Sequence, residues 1–291
     1  MAMIEADFPA IFHDADGIAV AGQRLTFRLS RLRLVSAVIA ALGGALSWKV
    51  GKFDLWALVA LAGFLAALFA EIMLWIQRPE RDWTTGRTIA EDIKSLAWRF
   101  TVSGHPFPAT MPLPEARKLF GRRVNEIVAR DGVEITFHSV SRQTTQRMAE
   151  LRARPLEERR QVYLDERIRN QQEWYAASAR LHQERANRLR TLLLAGELIA
   201  IVLAAGRGFG VWDVDISGVM AAIVASGAAW LGLRQHEKLR LTYSIAANSL
   251  ASVADQLADV PEDEWANAVM DAEDNFRKEN STWTVSQPNA A

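Results

Sequence analysis

Residues 34–76 read LVSAVIAALGGALSWKVGKFDLWALVALAGFLAALFAEIMLWI. Two apolar runs, 34–48 and 55–76, are separated only by a turn that carries Lys49 and Lys52. A helix that is apolar on every face has no side to give to water, so such runs belong in a large core or in a bilayer. The pattern recurs far downstream in residues 191–233, TLLLAGELIAIVLAAGRGFGVWDVDISGVMAAIVASGAAWLGL, as runs 191–206 and 216–233 around a glycine-rich turn. A chain of 291 residues cannot hide four such segments in one soluble core. Their length matches the hydrocarbon thickness of a bilayer. The expected fold class is an all-α membrane protein: two transmembrane helical hairpins, hence four spans, with long helices extending into a cytoplasmic helical stalk.

The flanking charges orient the spans. Arg24, Arg28, Arg31 and Arg33 precede the first, and Arg78, Arg81 and Arg87 follow the second. Arg180, Arg185, Arg188 and Arg190 precede the third, and Arg234, Lys238 and Arg240 follow the fourth. Two hairpins place all of these on one side, leaving only Lys49, Lys52 and Arg207 on the other. The excess of basic residues marks the cytoplasmic side. The expectation is a multi-pass protein of the inner (cytoplasmic) membrane with both termini cytoplasmic. Trp48, Trp56, Trp75 and Trp212 lie where interfacial anchors sit. The acidic N-terminus lacks the basic start of a secretory signal, so the first span is expected to be retained.

The 34 basic and 34 acidic residues cancel, but unevenly. Residues 78–190 hold 22 Lys/Arg against 15 Asp/Glu, and residues 234–291 hold 5 against 10. The middle is therefore suited to anionic lipid or to the acidic tail. The chain has no cysteine, which excludes disulfides, thiol nucleophiles and cysteine metal sites.

The chain divides into a loose cytoplasmic head at 1–23, with a helix starting near Leu25; a two-span module at 24–150; a second at 151–283 with long stalk helices and an acidic C-terminal helix; and a flexible tail at 284–291. After a break at Arg78-Pro79, residues 82–102 carry Ile89, Ile93, Leu96, Ala97 and Phe100 at helical spacing. Gly104 and prolines 106, 108, 112 and 114 form a stop, and 114–131 resumes as helix. Residues 132–140 alternate apolar and polar residues, as a short strand or only a loop would, and one such segment cannot form a sheet alone. No breaker interrupts 156–203, which reads as one helix of about 70 Å at 1.5 Å per residue. Residues 216–257 mirror it, so the two helices are expected to pair antiparallel as a coiled-coil-like stalk, with Leu181 and Leu189 facing Leu239, Ile245 and Leu250.

The stretch 169–190, RNQQEWYAASARLHQERANRLR, and the stretch 272–283, AEDNFRKENSTW, resemble the SLATT family, the SMODS- and SLOG-associating two-transmembrane effector domain. Residues 82–107, DWTTGRTIAEDIKSLAWRFTVSGHPF, resemble a second subtype of the same family that often precedes the first. The resemblance implies a tandem bacterial protein whose spans couple to cytoplasmic helices. It also implies a membrane effector of a conflict or defence system acting downstream of a nucleotide signal. No nucleotide-synthesising or nucleotide-sensing module is recognisable in the chain itself.

Glu71 lies seven residues before Arg78, and Glu197 seven after Arg190. Helical rise puts both about 10 Å inside the cytoplasmic edge. Carboxylates there line polar paths, or are protonated or hydrogen-bonded to a neighbouring helix. Small residues four apart (Ser36, Ala40, Gly44; Gly218, Ala222, Ser226; Ala228, Gly232) suit close helix contact within or between chains. Trp98, Arg99, Trp174 and Tyr175 are candidates for stacking on a ligand, or for packing between stalk helices. The five histidines have no helical ligand spacing and read as scattered solvated residues. Gly206-Arg207-Gly208-Phe209-Gly210 follows no strand and reads as a turn rather than a phosphate loop.

No catalytic constellation, cofactor site or metal site is recognisable, so no enzyme activity is expected. The expected partners are the lipid bilayer, further copies of the chain in a homo-oligomer, and a cytoplasmic nucleotide-sensing or nucleotide-producing protein; nucleic acid is not expected. The leading function is a signal-gated pore or permeability-altering effector, and the alternative is a non-conducting membrane-anchored scaffold.

Overall fold

A computed structural model describes residues 3–131, 143–211 and 216–285, with side chains through Arg277. Residues 132–140, a short strand or a loop by their pattern, and the anchor Trp212 lie outside the described residues. The chain is about 85% helical. In order it forms α1 (Ala10–Ala45), a two-strand turn of β1 (Lys49–Val50) and β2 (Phe53–Asp54), α2 (Leu55–Gln77), α3 (Pro79–Thr101), α4 (Leu113–Asp131) and α5 (Gln146–Arg152). Then follow α6 (Leu156–Val162), a π-helical stretch (Tyr163–Arg169), α7 (Asn170–Gly208), α8 (Ile216–Arg234), α9 (His236–Ala258) and α10 (Glu262–Val285).

Among the described residues, three helical stretches are long and apolar enough to cross a membrane: Leu55–Gln77, Leu156–Gly208 and Ile216–Ala258. α1 falls short because it ends at Ala45, so its apolar run 34–45 spans only about 18 Å at 1.5 Å per residue. The lost turn goes into the β1–β2 hairpin, where Gly51 supplies a positive φ and Asp54 caps α2 by accepting from the amides of Trp56 and Ala57.

The chain forms two compact units. The head unit comprises Met1–Gln23, Pro79–Ser178 and Thr242–Ala291. Its centre is α3, whose Ile89, Ile93, Ala97 and Phe100 are buried, as their spacing predicts. Pro79 opens α3 at the first helical position, where its missing N–H costs nothing. Residues 10–23 are not a loose head, because α1 begins at Ala10 rather than near Leu25. Phe8, Phe12, Ala15 and Ala19 are buried, and the Gly86 backbone lies close against Ala15 and Ala19. The acidic residues of this segment mask that apolar stripe in the sequence. Arg152 of α5 ties down the loop after α3, donating to the carbonyls of Phe100, Phe107, Pro108 and Met111 and to Ser103 Oγ.

The hairpin unit comprises Arg24–Arg78 and Ala179–Leu241. α1 and α2 approach closely where Gly43 meets Trp56 and Ala60 and where Gly63 meets Ser36 and Ala40. α7 and α8 meet at Gly196 and Gly227, and Ser226 Oγ donates to the Leu34 carbonyl. Gly44, Ala228 and Gly232 face outward instead. Large apolar side chains such as Phe64, Phe69, Leu198 and Val202 are exposed.

The return helix of the second hairpin is not continuous. It is interrupted at Gln235, which adopts a left-handed conformation with φ 47°. Leu181 and Ile245, expected in a stalk seam, are exposed, while Ala186, Ala246 and Leu250 are buried.

Candidate functional site

Glu71 is paired. In the hairpin unit, Nη1 of Arg33 donates to Glu71 Oε2 at 2.5 Å, joining α1 to α2. Arg33 is the last arginine before the apolar run of α1, so Glu71 sits level with the start of that run rather than alone inside it. A carboxylate with a guanidinium on it is stable in an apolar layer where a lone one is not. Glu197 is exposed on α7 and has no ion-pair partner among the described residues. The partner the structure gives Glu71 is Arg33, not Glu197.

The four aromatic and basic candidates separate into two places in the head unit. Trp98 is a core residue, edge-on to Phe8 and Tyr163. Arg99 donates to Asp274 Oδ1 at 2.6 Å and to the Met270 carbonyl on α10. Trp174 and Tyr175 instead cluster with Tyr243, with ring centroids 5.2–5.5 Å apart. Trp174 remains 46% exposed there. This aromatic cluster lines a small cavity with Trp83, Arg87 and Asp16.

The structure also builds a site that residue spacing did not point to. Tyr163 and Arg167 lie on the π-helical stretch and both reach Glu273 of α10. Arg167 donates from Nε and Nη2 to the two carboxylate oxygens at 3.0 and 2.8 Å, and the Tyr163 hydroxyl donates at 2.9 Å. Glu273 is 0% exposed and Arg167 3%. Burial alone would lower the Arg167 pKa, but the Glu273 charge and hydrogen bonds outweigh it and raise it. Burial, reinforced by the Glu273 charge, pushes the Tyr163 phenol well above its usual range, so it remains a donor. The Arg167 guanidinium also lies 4.3 Å from the Phe276 ring centroid. Glu273, Asp274, Phe276 and Arg277 all belong to the stretch 272–283 singled out above. They hold α10 to α3 and to the π-helical stretch, since Arg277 Nε donates to Asp92 at 2.8 Å. The signal was present in that stretch, but its partner lies 106 residues away.

The histidines are not all scattered. In the hairpin unit, His182 and His236 face each other with Nδ1 atoms 2.8 Å apart, so one ring donates and the other accepts. His236 directly follows the interruption at Gln235 and is buried. Burial is the main cause that lowers the pKa of both. For His236, the charges of His182, Arg234 and Arg185 add to it and bring the value to about 4; for His182, Arg185 and Arg234 add to it. Glu237 is turned to Arg190 and Arg240. A histidine in the unfolded chain takes up its proton near pH 6.5, whereas this pair resists it. The pair's stability contribution is therefore complete above pH 6.5 and is lost as pH falls from there toward 4. A melting temperature compared between pH 7.5 and pH 5 should drop by a few degrees more in the native protein than in His236→Gln; equal drops would remove the pair from the account.

Long, exposed apolar helices in one unit, and a second unit packed around its own hydrophobic core, are the marks of a largely helical membrane protein. Family models for the SMODS and SLOG-associating 2TM effector domain match the chain twice: domain 3 over residues 9–160, and domain 1 over residues 163–283. The chain belongs to this family and is a tandem member of it. Neither the curated proteins nor the solved structures contain a match.

Proposed function

We propose that the protein is an oligomeric membrane effector of a bacterial defence system that alters membrane permeability when a cytoplasmic signal rearranges its helices. In this reading it spans the inner membrane four times with both termini cytoplasmic, and the short run of α1 crosses with the aid of its flanking arginines and the β1–β2 turn. The observation that carries the reading is the exposed apolar surface of α2, α7 and α8 in a member of an effector-domain family. Such faces require lipid or further copies. The close contacts at Gly43, Gly63 and Gly227 leave little room for water within one chain, so a path implies several chains. Glu197, which has no ion-pair partner among the described residues, is then the carboxylate placed to favour cations, whereas Arg33 neutralises Glu71.

The alternative, a non-conducting scaffold, draws on the size and polar order of the head unit. Cation flux from liposomes, measured at rest and with the small-molecule fraction of a lysate, decides between them. The proposal expects flux in at least one condition and a weaker cation preference in Glu197→Gln. Absence of flux in both conditions, with the protein correctly inserted, favours the scaffold.

A further inference from the structure

Two arginines of the hairpin unit share one indole, and a third stands beside them. The Arg234 guanidinium, at the end of α8, lies 3.9 Å from the Phe27 ring centroid and 4.9 Å from that of Trp230. Arg31 of α1 lies 5.5 Å from the same Trp230 centroid. The two rings meet edge to face with centroids 6.0 Å apart, so residues of α1 and α8 fix Arg234 together. Arg185 of α7 completes the group. Its charge and that of Arg31 bear on Arg234, and among the described residues no carboxylate offsets them.

Other arginines on this flank are neutralised. Arg33 is paired with Glu71, and Arg190 and Arg240 with Glu237. Arg31, Arg185 and Arg234 have neither an ion pair nor a side-chain hydrogen bond among the described residues. Like charges held together repel, and an aromatic ring attracts a guanidinium without taking up its N–H donors. The cluster also lies at one level of the unit. Arg31 stands three residues before the apolar run of α1, Arg185 six before that of α7, and Arg234 directly after that of α8. Val35, one turn beyond Arg31 on the same face of α1, is 50% exposed and offers an apolar surface next to the charge.

We propose that Arg31, Arg185 and Arg234 bind the phosphate of an anionic phospholipid in the cytoplasmic leaflet. Basic pockets between spans on that side suit such headgroups. Guanidinium forks match phosphate oxygens. With no carboxylate in the cluster, the ammonium of a zwitterionic headgroup finds no partner there. The site rests on the reading of the hairpins as membrane spans, and not on conduction.

The test uses the full chain, extracted from membranes into a maltoside detergent and followed by native mass spectrometry over a series of lipid mole fractions. Phosphatidylglycerol is the probe. Phosphatidylcholine carries the same phosphate with an ammonium, and glycerol phosphate is the headgroup without acyl chains. Saturable binding of phosphatidylglycerol, tighter than that of phosphatidylcholine, is expected. Arg31→Gln and Arg234→Gln should each weaken it about fivefold, the scale of one basic residue at an anionic surface. Arg24→Gln, about two turns away on α1, should leave it unchanged. Arg31→Gln is the sharper probe, because Arg31 is exposed and its loss should not disturb packing. Absence of phosphatidylglycerol binding, equal binding of the two lipids, or binding that both Arg31→Gln and Arg234→Gln leave intact overturns the site. Glycerol phosphate bound as tightly as the lipid would overturn the lipid as the source of the phosphate. Recovery of the native chain in the soluble fraction without detergent would overturn the membrane reading and the site together. Phosphatidylglycerol binding without flux would uphold the site and count against the effector reading alone.

Discussion

Glu273→Ala should destabilise the head unit by about 3–5 kcal/mol, the usual result of leaving a buried charge without its partner. Arg167 is enclosed, and both of its described hydrogen bonds go to Glu273. The Tyr163 hydroxyl loses its acceptor in the same step. Removing both charges is a different matter, because two apolar side chains of similar volume no longer carry the desolvation of the pair. The double variant Arg167→Met/Glu273→Met should therefore recover most of the loss. Thermal unfolding of the full chain, followed by the retained folded fraction after heating, measures both. If the double variant is as unstable as the single one, the bonds to Tyr163 and Phe276 matter more than the charge balance.

The second large effect is expected at Arg33 and Glu71. Arg33→Glu places two carboxylates together at the edge of the apolar layer. It should cost about 2 kcal/mol, near the lower end for a charge inside a bilayer because the site lies toward the boundary. Glu71→Arg should do the same with two guanidiniums. The exchange Arg33→Glu/Glu71→Arg rebuilds the pair in reverse and should restore most of the folded protein recovered from membranes. An exchange variant no better than either single change would mean that the pair does not form in the bilayer. Glu71→Gln should lower recovery while leaving cation preference unchanged, in contrast to Glu197→Gln.

The apolar runs, the turns at Pro79 and Gly104 and the buried face of α3 were legible because each depends on composition and spacing within one segment. Apolarity over about 20 residues, or a stripe repeating every three to four, acts before any partner is chosen. The likeness of 169–190 and 272–283 to an effector family was legible for the same reason. The start of α1 was hidden because acidic residues alternate with Phe12, Ala15 and Ala19, and only α3 decides which face is covered. Gln235 has neither glycine nor proline beside it, so nothing local announced the interruption that precedes the buried His236.

The sequence by itself determined that this is a helical membrane protein with two apolar hairpins, since burial in lipid is a property of a segment. Tertiary structure alone decided that Glu71 is neutralised by Arg33, that His182 meets His236, and that Glu273 anchors Tyr163 and Arg167. These pairs are separated by 38, 54 and more than 100 residues. Which charge a helix presents to which neighbour depends on its rotation about its own axis, and packing against other helices sets that rotation.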